Sequence, residues 1–115
     1  MTVCLWGKAL NALKIKDRIA YTPISKAMRD ACGMGTTELG LSSFLISMNE
    51  VDRAAVLLER DDGRIEISLR AKPGFNVSNA AVALDGGGHP LAAGTTIDGP
   101  LDAAVKQVLS ALRNA

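Results

Sequence analysis

The chain has 115 residues, 48% of them hydrophobic and 22% charged, with a formal net charge of +1. That length suits one domain around one core, and the near-neutral balance excludes the broad basic surface of a long nucleic-acid track. Aromatic residues make up only 3%, too few for a platform that stacks successive bases, and no run of about 18 apolar residues offers a membrane span. The first residues lack the long apolar stretch of a secretory signal. A cytoplasmic location is therefore expected; Cys4 and Cys32 show no metal spacing, the sequence does not say whether they meet, and free thiols are the default.

Trp6, Ala9, Leu10 and Leu13 recur at helical spacing and predict an amphipathic helix over residues 3–14. Residues 18–24 are rich in β-formers (Ile19, Tyr21, Thr22), and Pro23 marks an edge strand or a strand end. Ser25 caps a short helix that Gly33 ends, and Thr36 or Thr37 caps the next, with Leu41, Phe44, Leu45 and Met48 as its core stripe. Ala54-Ala55-Val56-Leu57-Leu58 is a nearly unbroken apolar run, which predicts a central strand covered on both faces. Asp61-Asp62-Gly63 is a hairpin turn. The strand after it alternates strictly, with Ile65, Ile67 and Leu69 on one face and Arg64, Glu66, Ser68 and Arg70 on the other.

Pro73-Gly74 breaks the chain, and Asn76 caps a helix carrying Val77, Ala80, Ala81 and Leu84 on one face. A short strand runs through Thr95-Thr96-Ile97. Leu101, Ala104, Val105, Val108, Leu109 and Leu112 then give the clearest helical stripe. Together these elements predict an α/β single domain, a mixed β-sheet of about four to five strands with helices packed on it.

The run Gly86-Gly87-Gly88-His89-Pro90 holds the chain's one histidine. Its glycines reach φ > 0 freely and leave the backbone open to a ligand. Pro90 fixes a φ suited to a helix start, so a glycine loop opening a short helix would cradle an anion such as phosphate. A helix C-cap followed by a tight turn accounts for the glycines equally well. Ser68 and Arg70, two apart on one strand, share a face, and a hydroxyl beside a guanidinium fork can clamp phosphate oxygens, although such a face can also simply meet solvent. Lys72 is read as a solvated loop lysine. No cluster of ligands suggests a metal site. Asp61-Asp62 serves the turn, and Ser42, Ser43 and Ser47 have no partner base to make a nucleophile.

Ile67-Ser68-Leu69-Arg70, then a small-residue helix, then Gly86-Gly87-Gly88-His89 and Ala92-Ala93-Gly94 resemble the DHH-associated domain of the DHH phosphoesterases. The similarity is to the branch of oligoribonuclease/pAp-phosphatase (nano-RNase) and cyclic-di-AMP phosphodiesterase enzymes. Arg18-Ile19-Ala20-Tyr21-Thr22 and Gly40-Leu41-Ser42 also sit where that branch has similar segments. Ala71 stands where the family often has a serine, and Asp85 where it often has a fourth glycine.

The resemblance implies a substrate-binding domain, residues 1–115, that closes over an N-terminal catalytic DHH domain. That domain holds two metals, typically manganese (Mn2+), on Asp and His ligands. No Asp-His-His triplet occurs here, so the chain is expected to be the C-terminal part of such an enzyme, with no metal, no catalytic residue of its own and no activity alone. By motif position Ser68 and Arg70 would hold the terminal phosphate of a short oligonucleotide or nucleotide substrate. Gly86, Gly87, Gly88 and His89 would hold the nucleotide end. A homodimer stays open. So do two other roles: a non-catalytic RNA-binding module, as the related domain of alanyl-tRNA synthetases suggests, and a dimerisation domain with an empty glycine loop.

Overall fold

A computed structural model of the chain describes residues 2–33 and 40–114. Helix α1 (Thr2–Asn11) leads into a hairpin of β1 (Lys14–Lys16) and β2 (Ile19–Ile24). Helices α2 (Lys26–Cys32) and α3 (Leu41–Ile46) follow, then a second hairpin of β3 (Arg53–Glu59) and β4 (Ile65–Ala71). Helix α4 (Ser78–Ala83), a third hairpin of β5 (Gly87–His89) and β6 (Ala92–Ile97), and α5 (Leu101–Asn114) complete the chain. The strands form one six-stranded sheet in the order β1-β2-β3-β4-β6-β5. Only β2 and β3 run parallel; the other neighbours are antiparallel. This is the expected α/β domain with a mixed sheet, of six strands where four to five were expected, with β1 and β5 at the edges.

The alternation along the strands splits the core into two layers. Ile19, Ala55, Leu57, Ile65, Ile67 and Leu69 point to one face and pack with Val77, Ala80 and Ala81 near α4 and with Ala104, Val108 and Leu112 of α5. Ala20, Ile24, Ala54, Val56 and Leu58 point to the other face, under Leu5 and Ala9 of α1, Cys32 of α2, and Leu41 and Leu45 of α3. The central strand β3 is buried on both faces, as its unbroken apolar run requires. On the second face the helical layer covers β2 and β3, and β4 turns its polar residues to that side just beyond it.

Local signals explain the helix ends. Ser25 Oγ accepts the Met28 N–H at 3.1 Å, and Gly33 closes α2 at φ 66°. Asn76 Oδ1 accepts the Asn79 N–H at 3.0 Å at the start of α4. Thr36 and Thr37, the expected caps of α3, lie outside the described residues. In the α3 stripe Leu41 and Leu45 are buried, whereas Phe44 is exposed and stacks against Trp6 with ring centroids 5.2 Å apart. Arg29 is buried at 1% exposure and joins α2 to the β3–β4 hairpin, donating to Glu59 O and Asp61 Oδ1, both at 2.9 Å.

Four expectations need correction. The first helix ends at Asn11, and residues 14–16 form β1 instead. The turn that makes this hairpin uses Asp17 at φ 54° and Arg18 at φ 61°, so it lacks the glycine that normally announces such a turn. Arg18 is held there by bonds to Asp52 Oδ2 at 2.8 Å and Asn49 O at 3.0 Å. Because β1 pairs outside it, β2 is not the edge strand; Pro23 lies past Tyr21, the last β2 residue paired with β1, so its missing N–H breaks no ladder there.

Cys4 and Cys32 are joined in a disulfide with a Cα–Cα distance of 5.6 Å, not free thiols. They meet because α1 and α2 pack on the same sheet face, a proximity that a separation of 28 residues does not reveal.

Finally, no helix follows Pro90. Pro90 and Leu91 form the two-residue turn between β5 and β6, closed by the pair His89–Ala92. A turn and a helix start demand the same φ of proline, and the sheet decides between them. Pro90 O accepts the Val77 N–H at 2.8 Å and Leu91 O accepts the Ala71 N–H at 3.0 Å, which fixes the turn to α4 and β4. The anion cradle at a helix N-terminus therefore does not exist here.

Candidate functional site

The strict alternation of β4 puts Ser68 and Arg70 on the second sheet face, half-buried at the margin of the helical layer beside α3. The ladders then fix their neighbours. Ser68 pairs with Gly94 and Gly94 with Gly87; Arg70 pairs with Ala92 and Ala92 with His89. Two parallel rows thus cross β4, β6 and β5, each about 10 Å long at the usual strand spacing. In one row glycines take two of three positions, so the floor beside Ser68 is bare backbone. In the other, Arg70 and His89 rise on the same side with only a methyl group between them.

These rows border a cavity of about 290 Å³ lined by Ser42 of α3, Ser68 and Arg70 of β4, Gly87 and Gly88 of β5 and Ala92 and Gly94 of β6, among others. Four of the six expected site residues therefore come together. His89 shares the face but stands outside the lining, exposed. Gly86 faces a different cavity, with Asp85 and Arg64. Among the described residues, the side chains of Ser68, Arg70 and His89 have no hydrogen-bond or ion-pair partner. A guanidinium fork and a hydroxyl with unspent donors, facing bare backbone, suit a tetrahedral oxyanion.

The three glycines do different work. A Cβ on Gly86 would lie 2.3 Å from Gly94 O, and one on Gly88 would lie 2.5 Å from Ala93 Cα, at φ 142° besides. Both are needed for the close approach of β5 to β6. A Cβ on Gly87 would meet nothing within 4 Å, so packing does not require that glycine. Asp85 takes φ 64° as α4 ends, a conformation that glycine adopts more readily. Its carboxylate borders the cavity with Arg64 rather than the one with Arg70.

Ser42, set aside above as a nucleophile, was not expected to line the phosphate site. It is fully buried at the second position of α3, which packs beside β4 and so brings it to the cavity. The Gly40-Leu41-Ser42 segment of the resemblance was the available signal. Lys72 does not join the site: its Nζ donates to Met48 O and its backbone N–H to Asp52 O.

Three cavities of about twice this volume lie elsewhere. One of about 660 Å³ separates α4 from α5. In another, of about 610 Å³, the Arg64 guanidinium is taken by Asp98 at 3.3 Å and Thr96 O at 3.1 Å. The third, of about 570 Å³ beside Tyr21 and Val105, is apolar. The Ser68–Arg70 cavity joins an unpaired guanidinium to an open glycine floor.

The two carboxylates of the β3–β4 turn are paired with cations. Asp61 is held by Arg29 at 2.9 Å and Asp62 by Arg60 at 3.2 Å, and among the described residues no three His, Cys, Asp or Glu side chains converge. Arg29, by its hydrogen bond and its charge, holds the Asp61 carboxyl below the usual carboxylate range. Arg18 does the same to Asp52.

Residues 24–115 match the family model of the DHHA1 domain. The chain belongs to the DHHA1 family. Over 70 residues this DHHA1 domain is 39% identical to the bifunctional oligoribonuclease and PAP phosphatase NrnA of Thermus thermophilus, covering 60% of the chain and 22% of that protein. Its fold is similar to an exopolyphosphatase-related protein from Bacteroides fragilis, with a TM-score of 0.90 at 26% identity over 98% of the chain and 34% of that protein. It also resembles the C-Ala domain of Aquifex aeolicus alanyl-tRNA synthetase, with a TM-score of 0.61 at 17% identity over 86% of the chain and 95% of that domain. The DHHA1 domain thus spans about a quarter to a third of the first two proteins. Among the described residues no helix is long and apolar enough to cross a membrane.

Proposed function

We propose that this DHHA1 domain is the substrate-holding lobe of a metal-dependent DHH phosphoesterase that cuts short oligoribonucleotides, pAp or cyclic dinucleotides. The observation that carries this is the meeting of Ser68, Arg70 and the open Gly87 backbone in one cavity. The Arg70 fork takes two phosphate oxygens at once, and the Ser68 hydroxyl donates to a third. His89, one row element further across the sheet, receives the nucleotide end. The name of the Thermus relative, an oligoribonuclease and PAP phosphatase, supports this substrate class.

Within this role the domain positions the substrate and offsets its charge. The metals belong to an N-terminal DHH domain, and this chain's own contribution is binding. The test is a calorimetric titration of pAp, pApA and a long single-stranded RNA into the 115-residue protein, with hydrolysis followed in parallel in the presence of manganese. Binding of pAp and pApA without hydrolysis is expected. Robust hydrolysis by this chain would overturn the division of labour. Binding that demands the long RNA would instead favour a nucleic-acid module.

A further inference from the structure

We propose that Glu66 is a specificity-determining residue of this site, one that disfavours polyphosphate chains and so favours a phosphate with no second phosphate bonded to it. The inference rests on the phosphate-binding role proposed for Ser68 and Arg70.

Glu66, Ser68 and Arg70 occupy successive same-face positions of β4, about 7 Å apart along the strand. Glu66 sits between Leu58 and Thr96 as Ser68 sits between Val56 and Gly94, so its carboxylate stands on the same face at one end of the bed. Arg60 Nη1 is 3.9 Å from Glu66 Oε1, but Arg60 Nη2 is also 3.2 Å from Asp62. Arg64 does not relieve it: its guanidinium lies in the separate cavity beside α4, 3.3 Å from Asp98. One guanidinium, Arg60, is therefore shared between two carboxylates, Asp62 and Glu66, and this end of the bed carries net negative charge.

A phosphate held by Ser68 and Arg70 is bounded on one side by that charge. Across the strands, Gly94 and Gly87 offer a floor with neither bulk nor charge. An uncharged nucleoside can leave over the glycines, whereas a second or third phosphate adds charge within reach of Glu66. One carboxylate acting on roughly two extra charges at ~8 Å in an exposed groove changes affinity about twofold to threefold.

The test titrates inorganic phosphate and pyrophosphate separately into the 115-residue protein and follows the amide resonances of Ser68, Arg70 and Gly87. In Glu66→Gln the ratio of pyrophosphate to phosphate affinity should rise about twofold to threefold, and in Glu66→Lys further still. An unchanged ratio in both variants, with both anions still bound, would overturn the role of Glu66 and leave the Ser68–Arg70 site standing. If neither anion moves those resonances in the unmodified protein, the phosphate-binding role fails and this inference fails with it.

Discussion

Arg70 and His89 flank Ala92 from opposite sides, each paired with it across one ladder of the sheet. Residues far apart in the chain thereby share one row, and the cationic fork and the imidazole rise from the same face with a methyl group between them. Every prediction about the site follows from that register.

Arg70→Ala should weaken pAp binding by about 2 kcal/mol, or roughly thirtyfold, because a charge-assisted hydrogen-bonded fork is lost. Arg70→Lys keeps the charge but not the planar fork and should recover only part of the affinity. Calorimetry on the three proteins measures this, and equal affinity in all three would remove Arg70 from the site.

The glycine series separates packing from binding. Gly86→Ala and Gly88→Ala force a Cβ to within 2.3 and 2.5 Å of backbone atoms, and each should destabilise the fold by about 2 kcal/mol. Gly87→Ala meets no atom, so its melting temperature should stay near that of the parent while its methyl group intrudes on the bed and weakens pAp binding. Thermal melts and titrations on all three variants decide; a strongly destabilised Gly87→Ala would contradict the division.

Much of this arrangement was legible in the residues themselves. Ile65, Ile67 and Leu69 alternate against Glu66, Ser68 and Arg70, so the strand, its buried face and the shared side of Ser68 and Arg70 could all be read from a period of two. The α5 stripe was equally plain. Legibility failed where the deciding contact is made by distant residues. Gly87 and Gly88 carry no strand propensity of their own, and β6 makes them a strand by pairing. Pro90 fits a helix start and a hairpin turn alike. Ser42 reaches the cavity only because α3 lies against β4, and the Cys4–Cys32 bond depends on two helices sharing a sheet face.

Reducing that bond gives a further prediction. A cross-link closing a loop of 28 residues restricts the unfolded chain and contributes about 3 kcal/mol. Dithiothreitol, or Cys4→Ser with Cys32→Ser, should lower the melting temperature by several degrees while leaving pAp affinity unchanged, since neither cysteine lines the cavity. Unchanged melting on confirmed reduction would contradict this.

Acid stability should follow Asp52 and Asp61. Each has a folded pKa depressed below its ordinary value, Asp52 by its hydrogen bond from Arg18 and Asp61 by that from Arg29. The unfolded state therefore binds protons more readily, and the stabilisation is fully present above the unfolded value of about 4. It is lost as pH falls through the depressed folded values. Melts recorded from pH 7 down to pH 2 should fall mainly below about pH 4, and Asp52→Asn should lower stability at neutral pH while flattening that acid limb. An acid limb as steep in Asp52→Asn as in the parent would exclude Asp52 from it.

The most direct test of the central claim is a map of backbone amide shifts as pApA is titrated into the isotopically labelled protein. Shifts confined to Ser68, Arg70, Gly87, Gly88, His89 and the facing residues of β6 are predicted. Shifts centred instead on the larger groove between α4 and α5, around Asn79, Lys106 and Ser110, or no shift at millimolar ligand, would contradict it.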